Sequence, residues 1–456
     1  MGRVAAQMEK RGIPVTLEIW DHEDIRGIGK KACKEEGVPE IRQVATTPDT
    51  TVTSLNEFIP EFIDALTRPL TEKEKWSGHH KPEPPPRIAM TGNYDEIQAY
   101  FEGDLTRFPA RKAPVALMTD GLPVTPPTEE RVAAMLKGTS HAPDETIEII
   151  SSGPPGVDQA VAGIATVEKV AVNGVMAGCK PEHMPVLLAM AELGVCLGGP
   201  SDSSMGHMYV VSGPIAREIG MNSGISHLCP GNPANMSIGR ACVLMGINLG
   251  QCIIGASSIG RMGNNIWGLT FAESELSPWE GLNTDEGYGP NENVLLGWNG
   301  FPQLTLPGAL NVKTPTNLLD YQNASPEHLV TALKTCTENL GSLVLFTPDT
   351  ANEWRERYGF KSIQQLQDYL YDNVTQSRSE MESHYRFYAI KEELMGNPRG
   401  SRLLNPDHLD LPEDAPVPRI IRGPNSIKII VAGGPGYAWG WGVAWKPRSI
   451  SIDKWR

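Results

Sequence analysis

One cysteine lies in a sequence context that favours a reactive thiol. Cys179 stands in the segment 177–182, where Pro181 predicts the first turn of a helix. Amide groups at a helix N-terminus, together with the adjacent Lys180, stabilise a thiolate relative to a thiol. We therefore predict Cys179 to be a nucleophile or redox thiol. The alternative is a small buried apolar side chain, which is a common environment of cysteine.

Three further residues have the side chains that bind zinc. His227 and Cys229 are two positions apart in a loop rich in Gly, Asn and Pro, and His207 precedes them. With Cys179 or with one another, they could supply three nitrogen or sulfur ligands to a tetrahedral divalent metal ion such as zinc, with one position left open. The spacing matches no strong metal-binding pattern, so a local structural role for each residue is the alternative.

The segment 229–240 runs from a loop into a predicted helix. Backbone amides at such a start, together with Asn232, Asn235 and Arg240, suit a carboxylate or phosphate of a small substrate. The alternative is an ordinary capped helix whose arginine pairs with a carboxylate of the core.

Two glycine-rich segments are typical of loops near a ligand. Residues 260–265, which include Asn264, contain glycines but neither of the nucleotide-binding glycine patterns. Residues 433–436 follow an apolar strand, so the backbone there can approach a ligand closely, although tight turns are built in the same way. We assign Asn264 to substrate binding.

Two glutamates lie next to aromatic residues. Glu273 follows Phe271 by two positions, and Glu280 follows Trp279 directly. A carboxyl group held against apolar rings has a raised pKa and can act as a general acid or base. The alternative for each is a solvated surface carboxylate.

The composition excludes several classes of function. The 456 residues carry a net charge of -14 and no basic arm, which disfavours nucleic-acid binding. No apolar run reaches the roughly 20 residues that cross a bilayer, and no signal peptide is recognisable, so no membrane association is expected. The seven cysteines suggest reduced thiols and a cytoplasmic location rather than a disulfide framework.

The order of the predicted helices and strands around these residues indicates an α/β protein. Residues 1–70 contain strands at 15–19 and 41–44 and helices at 27–36 and 54–67. This small layer lacks the strand and loop with which an α/β unit normally begins; either it is atypical, or the missing piece lies upstream or on another polypeptide. Residues 71–86 form a proline-rich linker, and residues 87–456 form one large mixed α/β domain.

Within the large domain the apolar spacing predicts helices and strands around the candidate residues. Predicted helices span 129–137, with Thr128 as N-cap, and 167–176, 185–193, 238–249, 353–358 and 363–373. Predicted strands span 209–212, 343–346 and 427–432.

Many short segments of residues 85–456 resemble the core domain of UGSC-like proteins. They include 120–123, 126–132, 165–173, 176–182, 213–218, 222–224, 234–235, 238–240, 277–280 and 431–434. The resemblance implies redox-active sulfur or selenium chemistry, because the family is named for a selenocysteine-Gly-Ser-Cys motif, or its cysteine version. That motif belongs to the first loop of the small N-terminal domain, and this sequence lacks it.

Three functions follow from these residues. The leading one is an enzyme with thiol or selenol chemistry on a small anionic substrate, with Cys179 as the thiol, Arg240 and Asn235 as anion ligands, and Glu273 or Glu280 as acid or base. The second is a metal-dependent lyase or hydrolase. The third is a non-catalytic subunit of a redox complex. We also expect a homo-oligomer and, as a further partner, a small subunit that contains cysteine or selenocysteine.

Overall fold

The computed structural model describes most of the chain, in two compact units. The described residues are 5–6, 8–9, 11–20, 33, 38, 40–46, 54–72, 74, 87–102, 118–152, 160–194, 206–250, 269–300, 325–334, 341–383, 408, 410–420, 422–443 and 445–456. The first unit comprises Met1–Pro181, Cys196–Ser203 and Val243–Gly263, and the second comprises Glu182–Val195, Ser204–Cys242 and Asn264–Arg456.

Helices and strands are interspersed along the described residues, as is typical of a mixed α/β fold. The helices are α1 Ile59–Thr67, α2 Tyr94–Glu102, α3 Glu129–Met135, α4 Val167–Ala177, α5 Met184–Leu193, α6 Ile215–Glu218, α7 Pro233–Asn248, α8 Leu282–Asp285, α9 Pro326–Leu333, α10 Pro348–Glu356 and α11 Ile363–Asn373. The strands are β1 Thr16–Trp20, β2 Arg42–Thr46, β3 Thr146–Ser152, β4 Ala160–Thr166, β5 Gly206–Ser212, β6 Leu269–Ala272, β7 Val294–Gly300, β8 Ser342–Phe346, β9 Thr375–Ser377, β10 Pro416–Pro418, β11 Ile427–Val431, β12 Trp439–Val443 and β13 Trp445–Ser451.

The first unit begins with a parallel pair of strands, β1 and β2. Thr16 lies opposite Arg42, and the pairing continues to Trp20 opposite Thr46. Parallel strands need a crossover connection, which agrees with the strand–helix–strand order predicted from the sequence. Of the predicted helix 27–36 only Cys33 is described; it is helical and buried in the core of this layer.

The rest of the first unit includes an antiparallel pair, β3 with β4, and the helices α3 and α4, each of which begins with a threonine N-cap. Thr128 accepts a hydrogen bond from the Arg131 amide at 3.4 Å, which confirms its predicted capping role. At the start of α4 the Thr166 hydroxyl accepts from the Lys169 amide at 3.3 Å. Both helices therefore begin where a threonine side chain replaces a missing backbone partner.

The second unit contains a four-stranded sheet and a three-stranded sheet. Their strand orders are β13-β7-β5-β6 and β11-β8-β12. Within them β5 is parallel to β6 and β11 is parallel to β8, whereas the remaining pairs are antiparallel. The Ser274 amide, directly beyond β6, donates to the Val431 carbonyl at 2.8 Å and joins the two sheets. The strands predicted at 209–212, 343–346 and 427–432 are confirmed within one to three residues.

Apolar side chains cover both faces of these strands. One face contributes a cluster that includes Val210, Phe271, Leu296, Leu345 and Ile430. The opposite face of β8 and β11 packs against α9, α10 and α11 in a second cluster. Strands buried on both faces are typical of parallel pairs, and this explains their continuous apolar sequences.

These elements confirm the predicted mixed α/β class. The predicted limits at residues 70 and 86 stay predictions, because residues 75–86 lie outside the described part of the chain. Among the described residues, no helix combines the length and the apolar composition needed to cross a membrane.

We expect the substitution Gly297→Ala to destabilise the second unit. Gly297 on β7 lies opposite Tyr209 on β5, whose side chain is fully buried. A Cβ atom at position 297 would lie 2.6 Å from two ring carbons of Tyr209 and 2.7 Å from a methyl carbon of Leu193. Overpacking of this kind costs about 2 kcal/mol, measurable as a lower free energy of unfolding in urea.

The matched control is Gly289→Ala. Gly289 lies in an exposed loop, and the nearest atoms to its Cβ position would be 3.9 Å away. We expect this variant to unfold like the wild type, and equal losses in both variants would contradict the packing argument.

Candidate functional site

The candidate site lies where the parallel strands of the second unit end. The Glu273 amide donates to the Val211 carbonyl at 2.9 Å, and the Ser274 amide donates to Val431 at 2.8 Å. The Ala432 amide in turn donates to the Phe346 carbonyl at 2.8 Å. The carboxyl ends of β5, β6, β11 and β8 are thereby placed side by side, which is the edge where ligands bind in many α/β sheets.

Glu273 is the titratable group at this edge. Its carboxylate accepts a hydrogen bond from the Ser212 hydroxyl at 2.5 Å. It also accepts from the Leu282 amide at 3.0 Å and 2.9 Å, one distance to each oxygen. Ser212 and Leu282 are both buried, and the Glu273 residue as a whole is partly exposed, but its carboxyl group lies in a buried environment. The carboxyl group is therefore fixed in position.

The environment of Glu273 favours its neutral form. Burial raises the pKa of this carboxyl from 4.5 to about 7, against the two hydrogen bonds, which lower it. The carboxylate of Asp285 raises the pKa further. The desolvation cost of the charge is thus larger than the stabilisation that the two donors provide. The acid–base role of Glu273 stays a prediction, and burial is the main cause of the raised pKa.

A second charged group lies beside Asp285. Burial raises the pKa of the Asp285 carboxyl, and the ammonium group of Lys428 opposes this shift. Lys428 itself is buried on β11 and forms an ion pair of 2.5 Å with Glu286. Because the Glu286 carboxylate also accepts a hydrogen bond from Ser449 at 2.7 Å, this pair is a structural link within the unit.

His227 lies in the loop that covers the end of β11. Its ring contacts Phe271 edge to face, with 5.3 Å between the ring centroids. The Nδ1 atom lies 3.1 Å from the Gly224 carbonyl oxygen, while Nε2 is buried without a hydrogen-bond partner among the described residues. Burial lowers the pKa of this imidazole, so it is neutral near pH 7. An unsatisfied buried acceptor costs roughly 1–3 kcal/mol and therefore needs an explanation.

Asparagine side chains hold this loop in place. Asn235 donates to the carbonyls of Asn222 at 2.9 Å and His227 at 3.1 Å, and its oxygen accepts from the Asn222 amide at 2.9 Å. Asn232 donates to the carbonyls of Ser226 at 2.7 Å and Cys229 at 2.9 Å. Both amides are thus used by the loop itself. A substrate-binding role for Asn232 and Asn235 stays a prediction that these contacts do not support.

Two glycines let the loop approach the end of β11. The Gly433 amide donates to the Ser223 carbonyl at 2.7 Å, and Gly433 has a φ of +119°, which other residues rarely adopt. A Cβ at Gly434 would collide with Ile225. The predicted close approach of backbone at residues 433–436 is therefore present, and what it approaches is the His227 loop.

Cys179 lies between the end of one helix and the start of the next helical segment. Its amide donates to the Gly174 carbonyl at 2.9 Å, and Gly178 before it has a left-handed φ of 82°, so Cys179 belongs to the C-terminal cap of α4. Pro181 begins a 3-10 turn that continues without a break into α5 at Met184, so the predicted helical turn at Pro181 is present. The negative end of α4 disfavours a thiolate, and the reactive role of Cys179 stays a prediction.

The predicted metal site is not formed by the described residues. No group of three or more His, Cys, Asp or Glu side chains among them lies close enough to hold an ion. His207 lies on β5 opposite Asn299, at the end of the strand remote from Ser212, roughly 17 Å along the strand. His227 and Cys229 belong to the loop at the other end. The joint role of His207, His227 and Cys229 is therefore wrong as a set.

The remaining predicted residues have separate outcomes. Glu280 is exposed, so its predicted place against an apolar ring is wrong; only the ring of Trp279 is buried. Arg240 is partly buried on α7, and its role toward an anion stays a prediction. Asn264 lies outside the described residues.

The sequence analysis missed Ser212 and the Leu282 amide. Ser212 is the last residue of a strand of apolar side chains, directly before Gly213, and a polar side chain at that position was an available sign of a site. The Leu282 amide is not recognisable from the sequence, because any residue at that position supplies the same backbone donor.

Comparison with known proteins finds no relative of this chain. No protein-family model, no curated protein and no solved structure matches it. The resemblance to UGSC-like proteins therefore stays a prediction, and the site has to be interpreted from its own geometry.

The raised pKa of Glu273 predicts a pH dependence of stability. The folded state holds the proton more tightly than the unfolded state, so this contribution is present below pH 4.5 and is lost as the pH rises through about 7. We expect Glu273→Gln to gain up to about 3 kcal/mol relative to the wild type between pH 5 and pH 8. Urea unfolding across this range measures the difference.

The control for this experiment is Glu280→Gln, which changes an exposed carboxylate of the same segment. Its unfolding free energy should follow the wild-type pH profile. A profile of Glu273→Gln that runs parallel to the wild type would show that Glu273 titrates as in the unfolded chain.

The cysteine positions predict an order of alkylation. Cys229 is exposed and Cys179 is partly exposed, whereas Cys33 and Cys242 are buried. Iodoacetamide should therefore modify Cys229 and Cys179 in the native protein and spare Cys33 and Cys242. Because Cys179 lies at the negative end of α4, it should react no faster than an unstructured peptide thiol, as read by mass spectrometry at several pH values. Faster reaction at Cys179 would restore the thiolate prediction.

Proposed function

We propose that this protein is an enzyme that transfers a proton to or from a small organic anion, with Glu273 as the general acid–base group. The observation that carries the proposal is the carboxyl group of Glu273, held by two hydrogen-bond donors at the edge where the parallel strands end. A proton-transfer group must be held within hydrogen-bond reach of its substrate, and Ser212 and Leu282 provide that support.

The titration of Glu273 fits this role. With a pKa of about 7, the carboxyl exists in both protonation states near neutral pH. The ionised form can take a proton from a carbon next to a substrate carbonyl or carboxyl group, leaving the electron pair on the substrate as an enolate. The neutral form can return a proton to that carbon. The Glu273 carboxyl can therefore both remove a proton from the substrate and return one to it, as acid–base catalysis requires.

The sulfur chemistry expected from the sequence is a separate proposal, because Cys179 belongs to the first unit and Glu273 to the second. Partial exposure of Cys179 and the neighbouring Lys180 support a role for the thiol, and the end of α4 argues against an easily formed thiolate. Arg240 is the proposed partner of the substrate anion. UGSC-like membership, a homo-oligomer and a small subunit with cysteine or selenocysteine belong to the same proposal and rest on the sequence alone.

Solvent-deuterium exchange tests the proposed activity. The protein is incubated in D2O with pyruvate, malate, lactate and succinate, and proton NMR follows the loss of the signal next to the carbonyl or carboxyl carbon. For the compound that exchanges, Glu273→Gln should lower the rate at least about 100-fold, because removing a general base typically costs this much. The wild-type rate should rise with pH through a midpoint near 7, where Glu273 ionises.

The matched control is again Glu280→Gln, which should exchange like the wild type. A titration of the Glu273 carboxyl by carbon-detected NMR adds a test that needs no substrate. A midpoint near 4.5, or an exchange rate that survives Glu273→Gln, would rule out the proposed role.

A further inference from the structure

The contacts of His227 fix which ring nitrogen carries the proton. Nδ1 lies 3.1 Å from the carbonyl oxygen of Gly224, and a carbonyl oxygen can only accept a hydrogen bond. Nδ1 must therefore be the protonated nitrogen of the neutral ring. The lone pair then lies on Nε2, which is buried and has no donor among the described residues. The side chain as a whole is 8 % exposed.

His227 and Glu273 belong to the same face of the sheet. Phe271 and Glu273 are two residues apart, and the backbone ladder with β5 continues to the Glu273 amide. Side chains two residues apart in a strand point to one face, about 7 Å from each other. Since the His227 ring packs against Phe271, it lies on the face to which the Glu273 carboxyl also points.

The loop around His227 is held in a conformation that costs energy. Ser226, directly before the histidine, has a φ of 57°, in the left-handed region. The amides of Asn232 and Asn235 bind the carbonyls of Ser226 and His227 and maintain this conformation. Strain of this kind next to an acceptor without a partner is typical of a residue positioned for a ligand.

We propose that Nε2 of His227 accepts a hydrogen bond from a hydroxyl group of the substrate, which makes small hydroxy acids the substrate class of the Glu273 site. The inference rests on the proposed function for the acid group and the proton transfer. A metal ion would need further ligands, and no described His, Cys, Asp or Glu side chains form a group of three with His227. An ammonium group could also donate, but its charge would be costly to bury here, whereas a neutral hydroxyl is not.

Two substitutions of His227 separate the roles of its nitrogens. In His227→Asn, the side-chain amide can replace the Nδ1 donor to Gly224, and no acceptor remains at the Nε2 position. In His227→Gln, the longer side chain can place an oxygen acceptor near Nε2. Binding of lactate against propionate, and of malate against succinate, is measured by calorimetry on the full chain, with alanine as the ammonium-bearing comparison for lactate.

We expect each hydroxy acid to bind the wild type about tenfold more tightly than its deoxy counterpart, as one buried hydrogen bond predicts. The ratio should fall to about one in His227→Asn and recover in part in His227→Gln. Nitrogen NMR of histidine-labelled protein should show Nδ1 protonated, Nε2 unprotonated, and a shift of Nε2 alone on addition of lactate.

Other outcomes overturn the inference. These are a ratio near one in the wild type, a ratio that survives His227→Asn, preferential binding of alanine, or a proton on Nε2 in the protein without ligand. Failure of the proposed function is recognised separately, since it appears as deuterium exchange or titration that does not depend on Glu273. A hydroxyl preference that depends on His227 would stand even then.

Discussion

The second unit depends on the two residues that follow the edge strand β6. Their amides donate in opposite directions, Glu273 to Val211 on β5 and Ser274 to Val431 on β11. This alternation of amides is the ordinary geometry of a strand inside a sheet, and here it joins the two sheets at their carboxyl ends. The backbone of Glu273 is therefore fixed by these hydrogen bonds at the junction of the two sheets.

The balance of forces at Glu273 explains why a carboxyl with two donors still has a raised pKa. The hydrogen bonds from Ser212 and Leu282 favour the ionised form, yet desolvation raises the pKa to about 7. A pKa shift of this size lowers the free energy of unfolding by about 3 kcal/mol at neutral pH. Such a cost is typical of groups kept for chemistry rather than for stability.

The sequence predicted the elements better than the environment of the site. Helix 363–373 and the strands around residues 343 and 427 follow from apolar spacing, since burial against neighbours is what that spacing records. For Cys179 the sequence analysis recognised the helical start at Pro181 but missed the helix end at Gly178, because a glycine in that context is compatible with several backbone conformations. The predicted metal set failed for another reason, because spacing along the chain carries no information on which end of a strand a histidine occupies.

The asparagines of the His227 loop have a structural role that the sequence analysis did not identify. Asn232 and Asn235 donate to backbone carbonyls of the loop and so help to position the His227 ring. Because Nδ1 of His227 donates to the Gly224 carbonyl, Nε2 is left as a hydrogen-bond acceptor. The Glu273 carboxyl, in contrast, can both donate and accept a proton near neutral pH. Under the proposal, these two groups would orient a substrate, because its hydroxyl would bind His227 while the neighbouring carbon faces the Glu273 carboxyl on the same face of the sheet.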